Sequence, residues 1–362
     1  MASLPPPEFL NHHHKRLNSL IYLQGELPTL KVLDQLLVPE KFEYIPVSNV
    51  EEAYSVIKKM QVRGAPLIAM TGIIGLLTEA KNTEISDYKQ FVKAKTARLI
   101  ESRPTAVNLR NACEKLVDYV NEGHGDELTR LEKFVNEYYA MEERENRQLC
   151  WNGVQAVREL KPKSQDGYTV MTICNTGCLA TCSWGTAIGI INGLHDRGFL
   201  KRAICLETRP YNQGSRLTAT EFSKMDIPFT LITDSMAAAA IQQFGVDIVI
   251  VGADQVARNG DTANKIGTCN LSIVSKHFNV PVIVALPMDT FNPSIESGDS
   301  ITIEERPADE MRQVNGKYIS LPDCPVWNPA FDITPNELIY AHVTEKGVHK
   351  RADRTHGSPA IN

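Results

Sequence analysis

Two side chains able to do chemistry stand where apolar runs end. Cys174 finishes "YTVMTIC" and opens "CNTG"; Asp254 follows "VDIVIV" at the head of "GADQVARNGDTANKIGT". With "LATCSWG" read as an incoming helix, Cys174 would sit at a helix N-terminus, where unpaired N–H groups and the dipole stabilise an anion and lower a thiol's pKa. It is then a reactive thiolate, or else a small residue closing a buried strand. Asp254 is an ordinary turn residue, or a carboxyl that an enclosed site keeps protonated as a general acid. Nearby, "ETRPYNQGSR" holds Arg209, Gln213 and Arg216. Arginine forks suit phosphate or carboxylate and Gln213 suits a hydroxyl, though a turn with ion-paired arginines fits the same string. In "DTANKIGT", Asp261 or Thr262 is placed to cap a following helix, and Lys265 to meet a phosphate as a point charge. Earlier, "VRGAPLIAM" sets Arg63 before a glycine-rich apolar helix, and "ESRPTAVNL" sets Arg103 and Asn108 at another helix start with proline in its first turn. Arginines at helix N-termini are unfavourable unless an anion joins them, which argues for phosphate.

The elements that must position these residues come in two styles. Residues 1–160 read as a mainly α-helical domain, with a short β element in "LIYLQGELPTLKVL". "NVEEAYSVIKKMQV" and "PTAVNLRNACEKLVDYVNEG" carry apolar residues at three- and four-residue intervals, and "DELTRLEKFVNEYYAMEERENRQLCWNGVQAVREL" reads as one long helix with a charged face. The polar stretch "KPKSQDG" marks the boundary. Residues 161–350 read as an α/β domain: "YTVMTIC", "RAICLE", "PFTLIT", "VDIVIV" and "VPVIVAL" are apolar throughout and separated by single helical runs. That pattern predicts a doubly wound, Rossmann-like parallel sheet covered on both faces. Residues 351–362 read as a loose tail. In such a sheet ligands bind beyond the carboxyl ends of the strands, and the polar clusters after the first four strands all fall on that edge.

Composition narrows the function classes. The chain has 362 residues, 43% of them hydrophobic, and a net charge of -5, with a pI near 6.0. It carries no footprint for nucleic acid or an anionic membrane, and "NHHHKR" and "HKRADR" read as short solvated patches. No apolar run reaches the ~20 residues of a membrane helix, and the N-terminus lacks the apolar core of a signal peptide, so the expected compartment is the cytoplasm, or the cytoplasm and nucleus. Eight cysteines without a C-x-x-C pair are expected as thiols. Histidines are scattered, and neither G-x-G-x-x-G nor a P-loop is present, so no metal and no cofactor are expected. The residues alone point to an enzyme or sensor for a small phosphorylated metabolite.

Taken together, "RGAPLIA", "SRPTAVNL", "CNTGCLAT", "ETRPYNQGSRLTA", "TDSMAA", "GADQVARNGDTANKIGT", "IEERPADE" and "NPAFDITPNELI" resemble, in order, the motifs of the methylthioribose-1-phosphate isomerase family, from about residue 15 to 348. That family is related to ribose-1,5-bisphosphate isomerase and to the regulatory subunits of the translation factor two-B exchange complex. The resemblance implies that Cys174 and Asp254 are the catalytic pair. It implies substrate contacts by Arg63, Gly64, Ala65, Arg103, Gln213, Asn264 and Lys265, all matching in type. It further implies an aldose–ketose isomerase of methionine salvage that converts 5-methylthio-ribose 1-phosphate to the ribulose isomer, needs no cofactor and forms a homodimer. Cys178 and Cys269 depart from the commoner pattern at positions without chemistry. Ribose-1,5-bisphosphate isomerase and a non-catalytic regulatory subunit are the alternatives.

Overall fold

Apolar residues at helical spacing in the first half and in continuous runs in the second fold into different architectures. The structure is a computed structural model that describes residues 3–6, 8–11, 16–104, 107–123, 125–162, 167–351 and 359–361. Most of "NHHHKR", the centre of the "KPKSQDG" stretch and residues 352–358 of the expected tail, including the second half of "HKRADR", lie outside the described residues. Two compact units emerge, a helical one (Arg16–Arg147 with Gly177–Gly185) and an α/β one (Met1–Lys15, Gln148–Thr176 and Thr186–Asn362).

The helical unit opens with β1 (Leu20–Leu23), β2 (Thr29–Leu33) and β3 (Tyr44–Val47), an antiparallel sheet in that order. Helix α1 (Val50–Lys58) starts where the Asn49 side chain accepts the Glu52 N–H at 2.9 Å, satisfying a donor that the helix cannot. Helix α2 (Ala65–Lys81) is apolar all round and buried along nearly its whole length, so it forms the centre of this unit. Helices α3 (Tyr88–Ser102), α4 (Val107–Glu122) and α5 (Glu127–Leu160) complete it, with α5 the single long helix the pattern predicts. Residues Leu67, Met70, Ile73, Leu99, Leu109 and Leu116 share one core.

Gly177–Gly185, the "GCLATCSWG" stretch, belongs to this unit by its bonds. The Leu179 carbonyl accepts from the Gln35 side chain at 2.8 Å, the Thr181 carbonyl from the Ser19 hydroxyl at 2.7 Å, and the Cys182 N–H donates to Glu142 at 3.2 Å. Burial pushes the Glu142 carboxyl up to about 7, against the Cys182 amide, Ser183 and Arg16, which favour its charged form. A carboxyl raised on folding holds its proton more tightly folded than unfolded. Its stability contribution is complete below the ordinary 4.5 and is lost as pH rises through about 7. Glu142→Gln is therefore expected to flatten the fall in Tm across that interval, with a gain over the parent on the order of 3 kcal/mol on the alkaline side. Parallel Tm-against-pH curves for the two proteins would count against this role.

In chain order the α/β unit has β4 (Tyr168–Thr172), β5 (Leu200–Leu206), β6 (Phe229–Ile232), β7 (Ile248–Val251), β8 (Gln255–Ala257) and β9 (Thr262–Lys265). It continues with β10 (Val282–Ala285), β11 (Phe291–Asn292), the hairpin β12 (Gln313–Val314) and β13 (Lys317–Tyr318), then β14 (Phe331–Thr334), β15 (Ala341–Val343) and β16 (Val348–Lys350). The seven-stranded sheet runs β16-β15-β10-β7-β4-β5-β6. All neighbours are parallel except β16, which pairs antiparallel with β15. Ranked by chain position, the parallel strands lie in the doubly wound order 3-2-1-4-5-6, so the predicted fold class is the observed one. Strands β4, β7 and β10 are buried at every residue, as continuous apolar runs require.

Helices α6 (Ala187–Asp196), α7 (Ala219–Lys224), α8 (Ala237–Phe244) and α9 (Thr268–His277) connect the strands. Two expectations change here. "LATCSWG" is not a helix; α6 begins only at Ala187, so Cys174 is not at a helix N-terminus. "DTANKIGT" does not open on a helix either, because Thr262–Lys265 is β9, paired with β8 on one side and β14 on the other. Asp261 instead accepts the N–H groups of Gly298 at 3.0 Å and Asn336 at 2.8 Å. The tail is not loose at its end: Ala360 and Ile361 are buried in the α/β core, and the Ala360 N–H donates to the Arg258 carbonyl at 2.7 Å. Among the described residues no helix is long and apolar enough to cross a membrane, and all eight cysteines are free thiols.

Candidate active site

A doubly wound sheet opens a crevice where its strand order reverses, here between β4 and β7, which pair in parallel with Met171 opposite Val249. Cys174 lies two residues beyond the end of β4 and Asp254 three beyond the end of β7, so the sheet sets both at the carboxyl side of that switch point. The loops carrying them touch: a Cβ on Gly252 would lie 2.6 Å from Thr176 Cγ2, which is why glycine stands there. Thr176 also receives the chain back, its carbonyl accepting the Thr186 N–H at 2.8 Å and its hydroxyl oxygen the Ile188 N–H at 3.2 Å. The segment between them is thus a nine-residue excursion that leaves the α/β unit at Thr176 and returns at Thr186.

Cys174 is buried and left-handed, with φ 67°. Its N–H donates to the Thr208 hydroxyl oxygen at 2.8 Å, and its carbonyl accepts from the Thr218 hydroxyl at 2.6 Å. Both threonines are fully buried on the segment after β5. Thr208 is held in turn by Asp234, whose carboxylate accepts the Thr208 N–H at 2.8 Å and the Arg209 N–H at 2.7 Å. Asn175 donates to the buried Glu221 at 2.7 Å.

Asp254 leads into the β8–β9 hairpin, its N–H donating to the Ala263 carbonyl at 2.9 Å, so Asn264 and Lys265 return to the same edge. Asn264 is 2% exposed and its side-chain nitrogen is buried with no hydrogen-bond partner; Gln213 is 1% exposed and its side-chain oxygen is likewise unpartnered. Orphaned buried amide atoms are costly unless a ligand or water completes them. Lys265 reaches over the Phe331 ring, 4.7 Å from its centroid. Across β14, Asp332 pairs with Asn264 in register and accepts the N–H groups of Gly267 at 2.8 Å and Cys269 at 3.1 Å. Burial raises the Asp332 carboxyl to about 6, while those amides and the Lys265 charge favour its ionised form. Asp234, Thr208, Thr218 and Asp332 escaped the sequence reading; each lay inside a quoted motif, but its partner is a backbone group distant in sequence.

The other expected contacts lie in the helical unit. Arg63 is buried just before α2, and Gly64 is the helix N-cap at φ 96°, a conformation that favours glycine. A Cβ there would overlap Ala180, whose carbonyl accepts the Leu67 N–H at 3.3 Å. Ala65 begins α2, whose first turn has no acidic residue and no side-chain cap, so it favours an anion. Arg103 caps the C-terminus of α3, where a cation is favourable without any ligand. The electrostatic case for an anion therefore rests on the Arg63 loop.

A doubly wound α/β unit with a cysteine and an aspartate at its switch point, joined to a helical unit, matches the initiation factor 2 subunit family over residues 61–351, and the chain belongs to that family. Within it, the chain stands with the methylthioribose-1-phosphate isomerases. A Caenorhabditis briggsae protein of that name is 50% identical over 346 residues, covering 94% of this chain and 93% of its own. The crystal structure of 5-methylthioribose 1-phosphate isomerase from Pyrococcus horikoshii superposes with a TM-score of 0.83 at 32% identity, covering 97% of this chain and 96% of that one. A structure described as translation initiation factor eIF-2B subunit delta from A. fulgidus superposes with a TM-score of 0.79 at 38% identity, covering 92% and 96%.

Proposed function

We propose that this protein is an aldose–ketose isomerase that converts 5-methylthio-ribose 1-phosphate to 5-methylthio-ribulose 1-phosphate in methionine salvage. The observation that carries the site assignment is the pair of buried, unpartnered amide atoms of Gln213 and Asn264 on the sheet edge that bears Cys174 and Asp254. The chemical obstacle is the phosphate on the anomeric oxygen, which blocks simple opening to an aldehyde. Asp254, protonated, gives its proton to the ring oxygen as the C1–O bond breaks; the C2 hydrogen passes to C1, and the 2-hydroxyl gives its proton to the carboxylate that Asp254 has become, leaving the C2 carbonyl and restoring the acid. Cys174 acts at the C2 hydrogen. Gln213 and Asn264 bind sugar hydroxyls, and Lys265 supplies charge to the phosphate. The site residues offer these groups without a cofactor.

The test supplies 5-methylthio-ribose 1-phosphate and ribose 1,5-bisphosphate separately and follows the C2 ketone by NMR. The ketose is expected from the first and little from the second; the reverse preference would reassign the substrate. The A. fulgidus relationship favours one rival, a non-catalytic regulatory subunit, for which neither sugar phosphate would be converted.

The protein is expected in the cytoplasm as a homodimer. Ile339, Ala341 and Val343 are buried in the core of the α/β unit and do not supply its interface. Tyr318, Ile319, Leu321 and Trp327 form a run of large exposed hydrophobics that does offer one. Light scattering at micromolar concentration is expected to give twice the 40.3 kDa chain mass, and Trp327→Glu with Leu321→Glu to shift it toward one chain; a parent mass of a single chain would refute the dimer.

A further inference from the structure

We propose that Thr208, set by Asp234, and Thr218 are positioning residues that clamp the backbone of Cys174 in its left-handed conformation and so aim its thiol; this rests on the catalytic role proposed for Cys174. Left-handed backbone is uncommon outside glycine and a genuine outlier for a β-branched residue. Cys174 at φ 67° and Thr208 at φ 66° both adopt it, and they are bonded to each other. Such conformations persist only where the surroundings over-determine them, and they cluster at functional sites.

The surroundings here do so with side chains. A residue just past a strand ordinarily satisfies its N–H and C=O through backbone or water. Cys174 donates its N–H to one threonine hydroxyl and its C=O accepts from another, both at 0% exposure. The Thr208 hydroxyl has one hydrogen, which it donates to the Leu206 carbonyl at 3.0 Å, so its oxygen is turned to accept from Cys174. Asp234 bridges the two amides at Thr208 and Arg209 and thereby fixes the turn from which that hydroxyl projects. Segments after β5 and β6 thus converge on the one residue that follows β4. The bonds of this set to Cys174 are to its backbone, so its effect on chemistry runs through the direction of the thiol.

Thr208→Val keeps the shape and removes the hydroxyl; Thr208→Ser keeps the hydroxyl. Misplacement by about an ångström costs on the order of 10²-fold in rate, so Thr208→Val is expected to lower kcat by about 10- to 100-fold with KM within about threefold. Thr208→Ser is expected to recover most of that loss, and Asp234→Asn to fall between. The alkylation rate of Cys174, read from its peptide by mass spectrometry, is expected to change in Thr208→Val and to return in Thr208→Ser. A purely structural role would instead lower Tm, leaving kcat per folded molecule and the alkylation rate unchanged, and that result overturns the clamp. If Thr208→Val fails to fold, Thr218→Val removes the grip on the carbonyl and carries the same expectation and the same refutation. An active Cys174→Ser would overturn the role of the thiol itself, whereas an inactive Cys174→Ser beside a fully active Thr208→Val overturns the clamp alone.

Discussion

Cys174→Ser is expected to fold with nearly the parent Tm and to lose turnover by more than about 10²-fold, the scale of a group that handles a proton in the transition state. Serine fits because the clamp on residue 174 grips its N–H and C=O, through Thr208 and Thr218, and a hydroxyl can replace the thiol as donor to the Asn175 carbonyl. Oxygen in place of sulfur adds no bulk to the buried pocket but removes an ionisable, polarisable atom. If Cys174 merely closed β4, the serine variant would turn over normally and lose stability through a buried hydroxyl. Near-parental turnover by folded Cys174→Ser would refute the role.

The β8–β9 hairpin makes a second, divided prediction. Asp254→Asn removes the proton donor while keeping size and hydrogen-bonding shape, so substrate is expected to bind while single-turnover rate falls by about 10²-fold or more. Lys265→Ala removes a charge-assisted contact worth about 1.5–3 kcal/mol, so the dissociation constant is expected to rise roughly 10- to 100-fold. It also strips the ring contact with Phe331 and the positive neighbour that favours ionised Asp332, so the binding loss should deepen at pH values above about 6. Asp254→Asn binding as poorly as Lys265→Ala, or turning over at the parent rate, would contradict this division.

What could be read beforehand follows from how local each determinant is. Strands β7 and β10 are apolar at every position and β4 nearly so, and they announced a sheet covered on both faces; the carboxyl-end rule then placed Cys174 and Asp254 on one edge. Helices α5 and α1 announced themselves by period. "LATCSWG" misled because small apolar residues suit a helix, whereas its backbone groups are taken by Ser19, Gln35 and Glu142, far away in sequence. "DTANKIGT" misled because Asp and Thr signal helix caps, whereas β14, some seventy residues on, claims Thr262–Lys265 as a strand with Asp332 opposite Asn264. Cys174, Asp254, Gln213, Lys265, Arg63 and Arg103 were legible as residue types suited to chemistry or to a phosphate, whereas Gly64, Ala65 and Asn264 came only with the family resemblance. The residues that hold Cys174 were not legible, since a threonine hydroxyl gives no sign in sequence of which amide it will accept.

The most direct test is a crystal structure of Asp254→Asn, the variant expected to bind without turnover, with 5-methylthio-ribose 1-phosphate. The ring oxygen is predicted beside Asn at position 254 and C2 within about 3–3.5 Å of Cys174 Sγ, the separation of a near-attack geometry, with Gln213 and Asn264 bonded to the sugar through the atoms now lacking partners. A sugar phosphate bound away from the β4–β7 switch point, with those two amides untouched, would contradict the account.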